Sequence, residues 1–393
     1  MSDRARHPWG LLVGASLLGV SLGAYELAPA SITPLIRDSM GVGPSSAGLV
    51  VGVMFGTAVV ASLPAGIALD RTDSRLAAGA AVLALLVAGA WGWQAATAGA
   101  YWSLLVSRVL GGVAYTVIWN AGIDVVGRSF DADSQATAVA TFTASGPIGF
   151  AIGQGTAPVV AGALGWPAVF PVFTGSALVG LALFWPTSRG SGRATDTPTP
   201  TRADLRTVVA NPRIWTVGAL GFLAYALYLF INSWAPSYLT EHLALSLAVS
   251  GALTALFPAV GVLSRVTGGL LSDRLFDGRR RPIVLLSFLV TTPVVAGFTA
   301  LRTVPVVVAA LLVAGFAIQL CLGLVFAYVR ELVAPEVAAT AVAFLTSVGL
   351  AGAFVAPIVA GALIGARGYG TAFAVAGVLG LFGVVLAWVA PES

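Results

Sequence analysis

Apolar positions along this chain come in long unbroken runs separated by short polar clusters. Crossing the ~30 Å hydrocarbon core of a bilayer takes about 20 apolar helical residues. Runs of that length fall at residues 9–36, 44–69, 76–98, 101–127, 134–160, 166–186, 213–239, 246–271, 282–301, 304–329, 336–364 and 368–389, which predicts twelve transmembrane helices. A β-barrel would alternate apolar and polar positions over about ten residues per strand. These runs are instead continuously apolar and rich in Gly and Ala, so an all-α membrane protein is expected. The first run, after Arg4 and Arg6, is at about 27 residues too long for the apolar region of a cleaved signal peptide, and reads as the first span.

Composition excludes the soluble alternative. Hydrophobic residues make up 58% of the 393 and charged residues 9%, and the mean hydropathy is +0.94. A water-soluble fold would have to expose most of that apolar surface. All 20 basic residues are arginine, and their placement orients the spans. With the N-terminus inside, fifteen lie in cytoplasmic segments, three outside (Arg37, Arg302, Arg367) and two within spans (Arg108, Arg265). A cell-membrane protein with both termini cytoplasmic follows, and its net charge of +4 needs no nucleic-acid partner. Cys321 lies within a span, so no internal disulfide is expected.

The chain repeats itself. The one long polar stretch, residues 187–212, is rich in Pro, Thr and Arg and reads as a flexible cytoplasmic linker between halves at 1–186 and 213–393. A shift of 203 residues lays Gly66-Ile-Ala-Leu-Asp70-Arg71 on Gly269-Leu-Leu-Ser-Asp273-Arg274, and Ala136-Thr-Ala-Val-Ala140 on Ala339-Thr-Ala-Val-Ala343. With a slip of four, Ala157-Pro-Val-Val-Ala-Gly-Ala-Leu164 matches Ala356-Pro-Ile-Val-Ala-Gly-Ala-Leu363. Ordered matches at nearly one offset indicate duplication, and duplicated six-helix halves are how many secondary transporters build a midplane site.

Gly66-x-x-x-Asp70-Arg71-x-x-x-Arg75 and Gly269-x-x-x-Asp273-Arg274, the latter followed by Arg279 to Arg281, occupy matching loops after spans 2 and 8. Their chemistry suggests close helix approach at the glycines, an aspartate capping the next helix, and arginines bonded to helix-end carbonyls or a facing carboxylate. The pair resembles the signature loop of the major facilitator superfamily, present once per half. The resemblance implies two pseudo-symmetric six-helix bundles, alternating access, and a carboxylate at the inner end of span 4 in the loop network, where Asp124 stands four residues before Arg128. Arg330 and Glu331 occupy the corresponding region of the second half. Arg108-Val-Leu-Gly111-Gly112 is similar to the family's helix 4 motif. Gly146-Pro147-Ile-Gly149 with Gly153 and Gly155 partly resembles the glycine-proline motif of antiporters, at an incomplete spacing, and equally fits a close-packing surface.

Ionisable groups inside spans are costly and are functional candidates. Glu26 in span 1 and Arg108 in span 4 lie at depths that let them meet. The resemblance puts helices 1, 4, 7 and 10 around a central cavity, so Glu26 with Arg108 is the candidate proton-coupling pair, the alternative being a permanent structural ion pair. Tyr115 and Trp119 share the Arg108 face of span 4, and Tyr225, Tyr228 and Asn232 share a face of span 7. Asn120 and Gln319 add hydrogen-bonding capacity, while Trp9, Trp102, Trp185 and Trp215 read as an interfacial belt. Arg265, in Gly261-Val-Leu-Ser-Arg265-Val-Thr-Gly-Gly, lies in a segment similar to those of nitrate and organic-anion members. The helix 2 position that carries a matching arginine in nitrate members is Ser62 here, which favours an organic anion.

No Walker loop can form without lysine, and His7 and His242 lie near opposite membrane faces, so neither nucleotide-driven transport nor a metal site is expected. No convergent catalytic set suggests an enzyme. The expectation is a monomeric, cofactor-free transporter of a small solute with protons as coupling partner, the lipid bilayer as its surroundings. A drug/proton antiporter is the alternative within the class, and a channel or a membrane receptor the alternative outside it.

Overall fold

The computed structural model describes residues 8–189, 202–334 and 337–392. The side chains of Asp70 and Arg202 lie outside the described ones. The described residues are helical almost throughout: α1 Pro8–Ser31, α2 Thr33–Met40, α3 Pro44–Asp70, α4 Ser74–Thr97, α5 Tyr101–Ser129, α6 Ala132–Leu164, α7 Val169–Thr187, α8 Arg202–Ala210, α9 Pro212–His242, α10 Leu247–Ala259, α11 Gly261–Leu275, α12 Arg281–Gly297, α13 Val304–Glu331 and α14 Ala338–Val389.

Eleven stretches among the described residues are long and apolar enough to cross a membrane. The last of them, α14, runs for 52 residues but is two helices joined at Gly368, whose φ of 80° no interior helical residue adopts. Splitting it there gives the twelve spans of the hydropathy pattern. Polar and breaker residues set the other ends. Asp73 accepts from the amides of Arg75 and Leu76 to start α4, Ser246 from that of Val249 to start α10, and Asn211 from that of Arg213 to start α9, with Pro212 at its first turn. The C-terminal part of the segment read as linker is not irregular: residues 202–210 form α8, with Val208 buried.

The chain forms two compact units, one of residues 1–41 and 60–198 and the other of residues 42–59 and 199–393. In the first, α1 packs between α6 and α7. Gly149 and Gly153 of α6 lie against the main chain of α1 at Val20 and Ala24, so the glycine-proline segment acts here as a close-packing surface. In the second unit α9 packs along α14, and α13 along α11 and α12. The N-terminal part of α3, up to residue 59, belongs with the second unit. Its Gly48, Gly52 and Gly56 face Phe354 and Pro357 of α14, and Ser45 Oγ donates to the Ile358 carbonyl at 3.2 Å.

Candidate functional site

In the first unit the chemistry gathers where α5 crosses α1. Pro29 lies inside α1 and has no N–H, so the Tyr25 carbonyl four residues earlier loses its helical partner. Arg108 of α5 fills that vacancy: Nη1 donates to the Tyr25 carbonyl at 2.8 Å and Nη2 to the Glu26 carbonyl at 2.7 Å. The guanidinium, fully buried, also lies 4.7 Å from the centre of the Tyr25 ring, a cation–π contact. That ring fits against α5 because residue 111 is glycine; a Cβ there would overlap it.

The Glu26 side chain is 1% exposed. Tyr115, about two turns along α5 from Arg108, is a side-chain hydrogen-bond partner of its carboxyl group, whereas Oε2 has no partner among the described residues. Glu26, Arg108 and Tyr115 are thus brought together. Trp119 continues the face: its ring stacks on Tyr115 at 5.9 Å and 9° and meets Phe142 of α6 at 5.0 Å. Asn120 is half-buried one residue on.

The second unit arranges its candidates differently. Tyr225 packs toward Gly349 of α14, while Tyr228 stacks on Phe257 of α10 at 5.4 Å, so the two tyrosines of α9 serve different neighbours. Asn232 Nδ2 donates to the Tyr228 carbonyl at 2.8 Å, and both residues are buried. Gln319 of α13 is buried at the break between α10 and α11, where its Nε2 donates to the carbonyls of Phe257 at 3.1 Å and Pro258 at 3.4 Å. Its Oε1 has no hydrogen-bond partner among the described residues, and neither does Nε of the half-buried Arg265 on α11. Arg265 packs on Gly323 of α13.

The loop motifs need two corrections. Asp70 ends α3, and it is Asp73 that caps α4. In the second unit Asp273 sits inside α11, and α12 starts without a side-chain cap. Nor do Gly66 and Gly269 mark close approach among the described residues, where a Cβ at either would meet nothing within 4 Å. The arginine chemistry is closer to expectation. Arg75 donates to the Trp185 carbonyl at the end of α7, at 3.1 Å, and lies 4.1 Å over that residue's ring, which gives Trp185 a partner beyond an interfacial belt. Arg71 and Arg274 are exposed.

Asp124 accepts from Ser74 Oγ at 2.6 Å and pairs with Arg128 at 2.6 Å. The counterpart in the second unit is built on Arg280, which spans Asp273 at 2.8 Å and Glu331 at 3.0 Å. Arg279 and Arg281 turn to Glu392 instead. Sequence reasoning named the arginine run but could not separate its members. It also missed Tyr25, Pro29 and Pro258, although a proline three residues after a buried carboxylate was a usable signal. Among the described residues, no group of three or more His, Cys, Asp or Glu is placed to hold a metal ion.

Comparison with known proteins agrees with this architecture. The family model described as Major Facilitator Superfamily matches residues 11–276 and 222–393. The "Probable nitrate/nitrite transporter NarK2" of Mycobacterium tuberculosis is 27% identical over 353 residues, covering 87% of this chain and 86% of that protein. The hexuronate transporter of Bacillus subtilis is 22% identical over 89% of this chain and 86% of its own length. The nitrite extrusion protein of Bacillus subtilis is 29% identical over 133 residues, so the match spans only 33% of each chain. A solved bacterial homologue of the human lysosomal transporter Spinster, inward-facing and unoccupied, superposes with a TM-score of 0.81 at 15% identity over 98% of this chain and 97% of that one.

Proposed function

The chain belongs to the major facilitator superfamily, and from that premise we propose that it is a multi-pass secondary transporter, working as a monomer in the cell membrane with both termini cytoplasmic, that moves a small organic anion in exchange or in company with protons. The observation that carries the proton coupling is the buried Glu26 carboxyl group, which has one oxygen without a hydrogen-bond partner among the described residues and Arg108 and Tyr115 beside it. A carboxylate costs free energy within a bilayer, and a proton on the unpartnered oxygen removes the charge. Arg108 is anchored by two main-chain carbonyls as well as by its attraction to that carboxylate. Loading and release of the proton then follow from changes around Tyr115 rather than from loss of the cation.

The solute class rests on Arg265, half-buried with an Nε donor that has no partner among the described residues, and on Ser62 standing where nitrate members carry a second arginine. A guanidinium offers planar, bidentate recognition of a carboxylate. Relatives named for nitrite, nitrate and hexuronate all handle anions by their names, and the last is an organic one. Tyr228, Asn232 and Gln319 are buried, and in this reading they meet solute only in another conformation of the second unit. Export of hydrophobic compounds is the second reading, favoured by the stacked Tyr115 and Trp119.

The purified protein in liposomes distinguishes these. An imposed proton gradient is expected to drive accumulation of a carboxylated sugar or a short organic acid against its concentration gradient. Accumulation of hydrophobic cations with no organic-acid flux would favour the second reading, and gradient-independent leak of either class would contradict both.

A further inference from the structure

A short helix on the polar side of α9 remains without a role in transport, and its surface has a definite chemistry. Helix α8 is pinned in place: Trp215 Nε1 donates to the Val209 carbonyl at 2.8 Å, tying the last turn of α8 to the first turn of α9. Val208 is fully buried on the side that packs toward α14, and the Trp215 ring meets Phe344 of α14 edge-on at 4.8 Å. The next positions around the helix are apolar but uncovered. Leu205 and Val209, one turn apart, are 49% and 43% exposed, and Trp215 is 47% exposed. Beside them stands the exposed Arg206, with Arg202 one turn earlier in register and Arg213 exposed at the start of α9.

We propose that α8 lies on the membrane surface, with Leu205 and Val209 in the headgroup region and Arg206 and Arg213 bound to anionic phospholipid headgroups. An uncovered apolar stripe flanked by arginines is the pattern of an interfacial helix. Three features favour a bilayer over a soluble protein as the occupant. The stripe runs directly into the lipid-facing surface of a spanning helix through Trp215. Tryptophan with its N–H satisfied suits the boundary between hydrocarbon and headgroups. The arginines complement the negative charge of the inner leaflet, where each basic residue adds about fivefold to surface partitioning. The choice of the inner leaflet rests on the cytoplasmic placement of this segment in the proposed topology, and the lipid contact itself does not.

The test places single cysteines at Val209 and at Thr207, on the opposite side of α8, in a Cys321→Ala chain, each carrying an environment-sensitive fluorophore. The full-length protein is reconstituted in phosphatidylcholine vesicles with or without phosphatidylglycerol. Quenching is compared between a headgroup-level spin-labelled lipid and aqueous iodide. The Val209 probe is expected to be quenched by the lipid and shielded from iodide, with the reverse at Thr207. Phosphatidylglycerol should increase the lipid quenching at Val209, and Arg206→Gln with Arg213→Gln should weaken that partitioning by about 25-fold. Leu205→Cys repeats the measurement in case the cysteine at 209 disturbs the Trp215 bond. Equal iodide access at 207, 209 and 205 in both vesicle types, or indifference to phosphatidylglycerol, would overturn the assignment and leave the stripe to a soluble partner. No solute flux enters the readout, so failure here and failure of the transport reading are separately visible.

Discussion

A proline lies near the end of a helix in each unit, Pro29 in α1 and Pro258 in α10, and a different side chain bonds the main chain beside each. At Pro29 in α1 the freed Tyr25 carbonyl is taken by the cationic Arg108, which also bonds the neighbouring Glu26 carbonyl. Where α10 ends before α11, the neutral Gln319 donates to the carbonyls of Phe257 and Pro258 at the break. Both side chains come from the same helix of the duplicated plan, since α5 begins at Tyr101 and α13 at Val304, an offset of 203. The geometric duty is shared and the electrostatics are not. Beside Arg108 stands a buried carboxylate, whereas α10 has no acidic residue and α13 has only Glu331 at its end. One half of a duplicated chain can therefore hold charge chemistry while the other supports an interruption in a different span with dipoles alone, at a smaller desolvation cost.

The comparison predicts unequal costs. Arg108→Leu leaves the buried Tyr25 carbonyl without a donor and the Glu26 carboxyl group without its cation, and should lower stability by roughly 3–5 kcal/mol. Gln319→Leu should cost roughly 1–3 kcal/mol. Thermal melting of both variants in one detergent measures the difference, and equal losses would break the contrast. The second joint has a sharper steric test. A Cβ at Gly261 would overlap the Gln319 amide, so Gly261→Ala is expected to cost about 1–3 kcal/mol, and Gln319→Ser in the same chain to restore part of it.

Pro29→Ala sharpens the first joint. It returns an N–H that the Tyr25 carbonyl can accept within α1, so Arg108→Leu should be less damaging in that background, by about 1 kcal/mol. Additive losses in the double-mutant cycle would mean that the proline does not create the demand for arginine. The loop networks should show the smallest stability effects. Asp124 and Glu331 are partly exposed, and Asp124→Asn or Glu331→Gln is expected to cost at most about 1 kcal/mol. If these networks time the conformational cycle, turnover in liposomes falls much further than stability does.

Much of the fold was readable because bilayer thickness turns a run of apolar residues directly into a helix. The span read at 101–127 is α5 at Tyr101–Ser129, and the break read between 364 and 368 is the turn at Gly368. Interruptions inside spans were not readable: the breaks at Ile32 and Val260 leave the run of apolar residues intact. The site was legible in its charges and not in its partners. Glu26 and Arg108 stand out as ionisable groups in apolar runs, but the carbonyls that receive Arg108 belong to the main chain and have no letter of their own. Asp73 rather than Asp70 caps α4 for a similar reason, since a cap depends on where the helix starts to within one residue.

The central claim, that Glu26 carries the proton that drives transport, is tested by Glu26→Gln in liposomes, with accumulation and exchange measured on the same preparation. The glutamine keeps the shape of a permanently protonated carboxyl group and leaves the Arg108 bonds to the Tyr25 and Glu26 main chain available. The account predicts that gradient-driven accumulation is abolished while solute exchange across the membrane persists and the melting temperature stays near that of the parent chain. Proton-driven accumulation at the parental level in the well-folded variant would contradict it.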